Sequence, residues 1–256
     1  MLQSGRQFEL VFFVLTFLSV YAYISWSRRG KKFVFRRIIG LDAVKDLIGR
    51  ATEMGGKIHY TPGGRSSLGG ERAMDSIVGL SILGYVAKMA AENDIEITTT
   101  VGTPENQAIA TAVVSQSNIA AGKPERAVDV RYYGSQFATS AGILGIIARE
   151  NVGANIMIGN YGADAIILAE AVQTHGVMQI GGCAVPGNLP FFMAICDYYL
   201  MGEEMYAAAA ISTGNPIDLA IIAAEDIPKW LIFLLVVIGV VATTAGSKVI
   251  QTLFRY

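Results

Sequence analysis

The sequence predicts an α/β protein: a Rossmann-like three-layer domain with a mostly parallel sheet of about six strands, flanked by N- and C-terminal transmembrane helices. Two observations predict this class. Short β-branched or apolar runs alternate with helical segments of ten or more residues, and a long apolar run without charge in its middle stands near each end of the 256-residue chain. Strands joined by such helical segments pair in parallel through right-handed crossovers, with helices on both faces of the sheet.

The first apolar run, residues 8–26, predicts a transmembrane helix. Nineteen helical residues rise about 28 Å, close to the thickness of a bilayer's hydrocarbon core. Residues 1–7 are then an exterior tail, and residues 27–40 form a basic collar at the cytoplasmic surface, because short basic flanks resist translocation. The predicted membrane-surface residues are Trp26, at the end of the apolar run, and Arg28, Arg29, Lys31, Lys32, Arg36 and Arg37 of the collar.

Residues 41–228 form the predicted cytoplasmic α/β domain. It opens with a short helix from an N-cap at Asp42 to about Glu53, and Lys57–Thr61 is the first predicted strand. A glycine-rich loop, residues 62–70, then leads into a helix over residues 71–93, whose apolar positions recur at intervals of three and four.

The alternation continues to the end of this domain. Thr103 followed by Pro104, and likewise Ser135, are typical of helix starts. The predicted strands cover residues 95–101, 127–133, 154–159, 177–181 and 197–201, and the predicted helices begin at residues 103, 135, 163, 188, 203 and 215.

The second apolar run, residues 229–247, predicts a transmembrane helix that returns the chain to the exterior. Trp230 is its predicted anchor at the cytoplasmic interface, and residues 248–256 are a second exterior tail. A buried core helix is the alternative for this segment. With two spans, the predicted location is the cell membrane, with the central domain cytoplasmic and both termini exterior.

Charge is distributed unevenly. Residues 40–228 contain 20 acidic side chains and 10 lysines and arginines, whereas the basic collar lies beside the membrane. An acidic body argues against nucleic-acid binding, and the collar favours contact with anionic membrane lipids. In a reducing cytoplasm, Cys183 and Cys196 are expected to be buried thiols.

The loop after the first strand is the most site-like stretch. It combines flexible backbone, two hydroxyls, a guanidinium and a helix start, and backbone N–H groups at such a start can bind an anion. A plain surface loop, or one that orders against a neighbouring subunit, is the alternative. Its candidate ligand-binding residues are Gly63, Gly64, Arg65, Ser66, Ser67, Gly69 and Gly70.

A second candidate follows the predicted strand at residues 154–159. Asn160, Gly162 and Asp164 stand where a strand meets a helix, at the sheet edge where open α/β sheets bind ligands. A tight turn and a favourable helix-dipole interaction explain the same residues without a ligand.

Other chemical signatures are missing from the sequence. Neither histidine has a second histidine at metal-ligand spacing, and there is no P-loop and no G-x-S-x-G sequence. We therefore assign no catalytic residue, metal or cofactor.

Three stretches resemble an uncharacterised family of prokaryotic membrane proteins, known as a domain of unknown function. They are ERAMDSIVGLSILGYVAKMAAENDI, GNYGADAIILAEA and LPFFMAICDYYLMGEEMYAAAA. The resemblance implies an α/β domain flanked by transmembrane helices over most of the chain, and it implies no activity.

Two functional hypotheses remain. The first is a membrane-anchored, self-associating protein that forms a homo-oligomeric scaffold or enclosure on the cytoplasmic membrane face, without catalysis. The second is a membrane-tethered small-molecule or nucleotide-binding protein, or an enzyme, with its site at the C-terminal edge of the sheet. Other membrane subunits are a further class of partner.

Overall fold

The computed structural model describes residues 7–65 and 67–245, in two compact units. One unit is helical and comprises residues 7–35 and 214–245; the other, Arg36–Thr213, is the α/β domain. Ser66, most of the predicted N-terminal tail and the whole predicted C-terminal tail lie outside the described residues.

The elements follow the predicted alternation of strands and helices. In chain order they are α1 (Gln7–Arg28), α2 (Ile39–Glu53), β1 (Lys57–Thr61), α3 (Ala73–Glu92), β2 (Ile97–Val101), α4 (Pro104–Ala120), β3 (Asp129–Tyr132), α5 (Gln136–Arg149), β4 (Val152–Ile158), α6 (Asp164–Thr174), β5 (Met178–Cys183), α7 (Leu189–Ile195), β6 (Tyr198–Met201), α8 (Glu203–Thr213), α9 (Pro216–Ala224) and α10 (Asp226–Thr244).

The six strands form one parallel sheet in the order β3-β2-β1-β4-β5-β6. This confirms the predicted fold class and supplies the strand order, which is that of the dinucleotide-binding Rossmann fold. The order reverses between β1 and β4, so the connections leaving these two strands diverge to opposite sides. A crevice opens at such a switch point, outside the carboxyl ends of the strands.

Alternating strand side chains separate two cores. Ile58 and Tyr60 of β1 belong to the core formed with α2, α3, α4 and α8, and Met157 of β4 belongs to the core formed with α5, α6 and α7. The sheet is therefore covered on both faces, which explains why β2 and β4 are buried along their whole length.

A row of polar side chains crosses the second core. His59, Thr98, Asn155 and Gln179 occupy matching positions on neighbouring strands. The buried His59 ring lies 2.6 Å from Asn155 Oδ1 through Nδ1 and 3.0 Å from Thr100 Oγ1 through Nε2. Burial lowers the pKa of His59 to about 4, so the imidazole is neutral at pH 7.

An ion network stands beside this row, near the amino ends of the strands. Glu150 pairs with both Lys57 and Arg131, the latter at 2.5 Å, and Arg131 also pairs with Asp129 at 2.8 Å. The hydrogen bonds from Arg131 and then Lys57 lower the pKa of Glu150 to about 2. The network joins β1 and β3 to the start of β4.

Some predicted helix caps are present and others are not. Thr103 and Ser135 each accept a bond from the backbone N–H three residues on, at 3.4 and 3.3 Å. Asn188 makes no cap bond; its side chain instead donates to Tyr161 O at 2.8 Å. Asp42, the predicted cap of α2, lies in the first turn of that helix and pairs with Arg37.

The helical unit is a hairpin in which α1 runs alongside α9 and then contacts α10. Ser27 Oγ donates to Pro216 O at 2.7 Å, which fixes the end of α1 at the start of α9. Ser19 and Ala224 are both buried. Ser19 lies eight residues before Ser27 in α1, and Ala224 lies eight residues after Pro216 in α9. Eight residues rise about 12 Å, so Ser19 and Ala224 lie at about the same level.

This register offsets the two predicted spans. The C-terminal arm of the hairpin consists of α9 and α10. The centre of residues 8–26 lies beside residue 226 of this arm, whereas the centre of residues 229–247 is residue 238, about 18 Å beyond residue 226 along the arm. The acidic pair Glu225 and Asp226 therefore stands beside the middle of α1. The two apolar runs are not side by side in the hairpin.

Among the residues that the structure describes, three helices are long and apolar enough to cross a membrane: Leu10–Arg28, Ala73–Glu92 and Pro216–Thr244. The first overlaps the predicted span 8–26 over residues 10–26, and the last overlaps the predicted span 229–247 over residues 229–244. The middle one is α3, which is more than half buried and packs against α4 and α8 in the α/β domain. The number of spans and their orientation stay predictions.

Candidate functional site

The two predicted site loops meet at the switch point. The loop after β1 and the loop after β4 are neighbours because β1 pairs with β4. Asn160 N donates to Pro62 O at 3.1 Å, and the Asn160 side chain donates to Arg65 O at 3.3 Å. The buried Tyr161 hydroxyl donates to Thr61 O at 2.7 Å. These bonds hold the two loops together as one structure.

Glycines allow this close contact. A Cβ added to Gly63 would lie 2.0 Å from Asn160 O, and one added to Gly159 would lie 2.1 Å from Pro62 O. Gly102, after β2, approaches the same loop, since its Cβ would lie 2.2 Å from Gly64 O. Any side chain at these positions would push the loops apart. Gly63 and Gly64 of the glycine-rich loop therefore serve close packing, whereas Gly69 and Gly70 have nothing within 4 Å of an added Cβ.

The carboxylate of Asp164 holds the loop after β4 in place by hydrogen bonds. Its Oδ1 accepts from Gly162 N at 2.9 Å and from Gln136 Nε2 at 2.6 Å, and its Oδ2 accepts from Ser140 Oγ at 3.3 Å. The residue is nearly fully buried. Its carboxylate thus shapes the loop and ties it to α5.

A cleft of about 590 Å³ opens beside the joined loops. We call it the switch-point cleft. Its size lies within the range of small-molecule sites. It is lined by Arg65, Ser67, Gly70, Glu71, Arg72, Asn160, Tyr161, Gly162, Ala163, Val185, Asn188 and Phe191.

Two guanidinium groups, from Arg65 and Arg72, give the cleft its electrostatic character. The Arg65 side chain makes no hydrogen bond or ion pair within residues 7–65 and 67–245, and Arg72 has one long contact, 3.7 Å from its Nη1 to Asp75 Oδ2. Each guanidinium carries five N–H donors in a planar fork. The cleft therefore presents unused donors to an acceptor-rich ligand, and the apolar side chains Val185 and Phe191 also line it.

The predicted site residues divide by position. Arg65, Ser67, Gly70, Asn160 and Gly162 line the cleft. Gly63 and Gly64 are buried behind it, Gly69 is exposed, Asp164 supports it, and Ser66 is outside the described residues.

Sequence reasoning missed Arg72, Tyr161, Asn188 and Phe191 as lining residues. A signal for the first exists, because Arg72 directly precedes a helix in the same loop as Arg65. The contributions of Asn188 and Phe191 depend on β5 lying next to β4, which the spacing of elements along the chain does not specify.

The collar residues divide between two surroundings. Lys31 Nζ lies 4.3 Å from the centre of the Trp26 ring, and Phe33 stacks on Tyr23 at 5.3 Å. Arg36 pairs with Glu204, and Arg37 with Asp42, both acids of the α/β domain. Trp230 is 70% exposed on α10.

The two cysteines are buried thiols. Burial raises the pKa of Cys196 to about 12, and burial also raises the pKa of Cys183. Both thiols are therefore protonated at neutral pH, and a thiolate nucleophile is not available from either.

A comparison with protein families identifies the chain. Residues 1–254 match the model of the family described as Domain of unknown function (DUF6754). The chain therefore belongs to this family, and the predicted membership of an uncharacterised family is confirmed. The prokaryotic origin and the membrane anchoring stay predictions. No curated protein and no solved structure matches the chain.

Proposed function

We propose that this member of the DUF6754 family is a membrane-tethered protein whose α/β domain binds a small molecule in the switch-point cleft. One observation carries the proposal: the two loops selected independently from the sequence are joined at the switch point and border a cleft with two under-used guanidinium groups. Perturbed or unsatisfied polar groups around a well-formed pocket favour a binding site. The site lies where parallel sheets of this strand order bind ligands.

The test is a thermal-shift screen of the full chain in detergent against nucleotides, phosphorylated metabolites and divalent cations. We expect one ligand to raise the melting temperature and Arg65→Ala to remove most of that shift. Arg50→Ala is the matched control, because Arg50 is an exposed arginine at the end of α2. A shift that survives Arg65→Ala, or no shift with any ligand, would contradict the proposal.

Self-association is the second proposed function, and a specific surface favours it. Phe137 of α5 is 77% exposed, Ile167 of α6 is 53% exposed and Met193 of α7 is 47% exposed. These three helices pack side by side on one face of the sheet. Exposed apolar groups on one layer are typical of a protein–protein interface, and a second copy fits the predicted scaffold.

Light scattering of the detergent-extracted chain tests self-association. We expect a mass of several copies, reduced by the combined change Phe137→Ser and Ile167→Ser. Ile217→Ser, at an exposed position of the helical unit, is the control for loss of an apolar side chain. A monomer at all concentrations would contradict this function.

The proposed location is the membrane, with two spans and a cytoplasmic domain. The apolar helices at Leu10–Arg28 and Pro216–Thr244 and the basic collar support it. We expect the chain to stay in the membrane pellet at alkaline pH and the domain to resist protease added outside whole cells. Release at alkaline pH would contradict the anchoring, and digestion of the domain would contradict the orientation.

A further inference from the structure

A buried carboxylate, that of Asp75, contacts Arg72, which lines the switch-point cleft. Asp75 lies in the first turn of α3, and its side chain is 4% exposed. Tyr206 Oη donates to Asp75 Oδ1 at 2.5 Å. The other oxygen, Oδ2, accepts no hydrogen bond from any residue the structure describes. One half of this carboxylate is thus held by α8, and the other half is not.

The unbonded oxygen faces a cation. Arg72 Nη1 lies 3.7 Å from Asp75 Oδ2, which is too long for a hydrogen bond and short enough for strong attraction outside bulk water. A buried carboxylate is destabilising unless a cation or donors compensate it. Arg72 is its compensating cation, and Tyr206 fixes which oxygen faces Arg72.

Arg72 also lines the cleft, where its side chain is 47% exposed. Arginine loses considerable rotamer freedom when a ligand fixes it, and a contact that holds the guanidinium beforehand reduces that loss. The buried Asp75, which does not itself line the cleft, supplies such a contact. The remaining N–H donors of Arg72 stay available.

From this chain of contacts we infer that Arg72 binds a phosphate-like oxyanion of the ligand, and that Asp75, fixed by Tyr206, is the positioning residue for Arg72. The inference rests on the proposed small-molecule site and names its ligand class. Arg65 borders the same cleft, so two arginines stand against the one acid, Glu71, in its lining. A guanidinium group donates two parallel, charge-assisted hydrogen bonds to a pair of phosphate oxygens, and a neutral ligand does not offer such charged acceptors.

The experiment measures binding of inorganic pyrophosphate to the full chain in detergent by calorimetry. We expect Arg72→Ala to weaken binding about tenfold or more, as for loss of a charge-assisted hydrogen bond. Asp75→Asn and Tyr206→Phe should weaken it about threefold to tenfold by releasing Arg72. Asp46→Asn, at an exposed acid of α2, should leave the affinity unchanged.

A double-mutant cycle separates positioning from a merely structural role. In an Arg72→Ala background, Asp75→Asn should cause no further loss of affinity. An equal loss in both backgrounds, no loss in either, or tighter binding after Asp75→Asn would overturn the positioning role. A melting temperature for each variant confirms folding, and Arg72→Lys, which keeps the charge, should retain part of the affinity.

The same measurements distinguish this inference from the proposed function. Pyrophosphate binding that Arg72→Ala does not affect would overturn the inference alone. The inference alone would also be overturned if the wild-type chain did not bind pyrophosphate but bound an uncharged ligand, and if Arg65→Ala abolished that binding. Absence of binding by any ligand would overturn both.

Discussion

His59 and Asn155 are paired in register across β1 and β4, and their side chains meet at 2.6 Å with no exposure to solvent. A neutral imidazole inside a parallel sheet makes the stability of the domain sensitive to acid. The lowered pKa of His59, about 4 against 6.5, sets the direction and the window. The unfolded chain binds a proton at His59 below pH 6.5, whereas the folded chain does so only near pH 4.

We therefore expect His59 to contribute full stability above pH 6.5 and to lose about 3 kcal/mol of it as the pH falls to 4. The measurement is the melting temperature of the full chain between pH 7.5 and 4. His59→Gln, which keeps hydrogen-bonding capacity, should flatten that profile, and His175→Gln, at an exposed histidine, should leave it unchanged. Parallel profiles for wild type and His59→Gln would contradict the assignment.

The ion network of Glu150 gives a second prediction. Glu150→Gln removes the charge that compensates Lys57, whose side chain is only 17% exposed. We expect a loss of about 1 to 2 kcal/mol, because the remaining cation is partly buried and loses its ionic partner. The melting temperature should fall by about 2 to 8 °C for a domain of this size.

Its acid dependence separates Glu150 from His59. The pKa of Glu150 is lowered to about 2, so its contribution is complete above pH 4.5 and is lost between pH 4.5 and 2. Glu170→Gln, on the exposed side of α6, is the control. A destabilisation no larger than that of the control would mean that the network contributes little.

Gly102 tests the close packing of the site loops without left-handed backbone strain. Gly102→Ala would place a methyl group 2.2 Å from Gly64 O. We expect a loss of about 2 to 3 kcal/mol, as for overpacking, together with weaker ligand binding. Gly49→Ala is the control, because that helical glycine has nothing within 4 Å and alanine favours a helix. Equal stability of the two variants would show that the loops can separate freely.

The register of the helical hairpin gives a fourth prediction. In a chain with Cys183 and Cys196 changed to alanine, Ser19→Cys with Ala224→Cys should form a disulfide on mild oxidation. Ser19→Cys with Leu235→Cys should not, because eleven residues displace the second position by about 16 Å. A disulfide between positions 19 and 235, and none between positions 19 and 224, would contradict this register. That result is expected if the two predicted spans lie side by side with their centres at the same level.

Much of the fold follows from local sequence. Strand residues such as Lys57–Thr61 stand out by composition, and Thr103 and Ser135 mark helix starts, because these signals depend on neighbouring residues alone. Parallel pairing also places both site loops at one sheet edge, because each loop follows the carboxyl end of a strand. Their direct contact depends on β1 lying beside β4, which local signals do not encode.

The interior of the site required three-dimensional information for the same reason. Asp75 and Tyr206 are 131 residues apart, and no sequence pattern connects them. Asp164 illustrates a subtler limit: its position at a helix start suggested interaction with the dipole, while its hydrogen bonds extend to α5. The sequence was enough to select Asp164 as a candidate, but its role in joining the loop to α5 is visible only in the structure.

The stagger between the two arms of the helical hairpin has a consequence for the proposed membrane anchoring. From Ile217 to Thr244 the C-terminal arm rises about 42 Å, well beyond a hydrocarbon layer of about 30 Å. A bilayer that submerges all of α1 leaves the far end of this arm uncovered, and one that submerges the far end leaves part of α1 bare. In the proposed anchored state, steep tilting of the hairpin or contact with neighbouring copies would relieve that mismatch, so the stagger favours the proposed self-association.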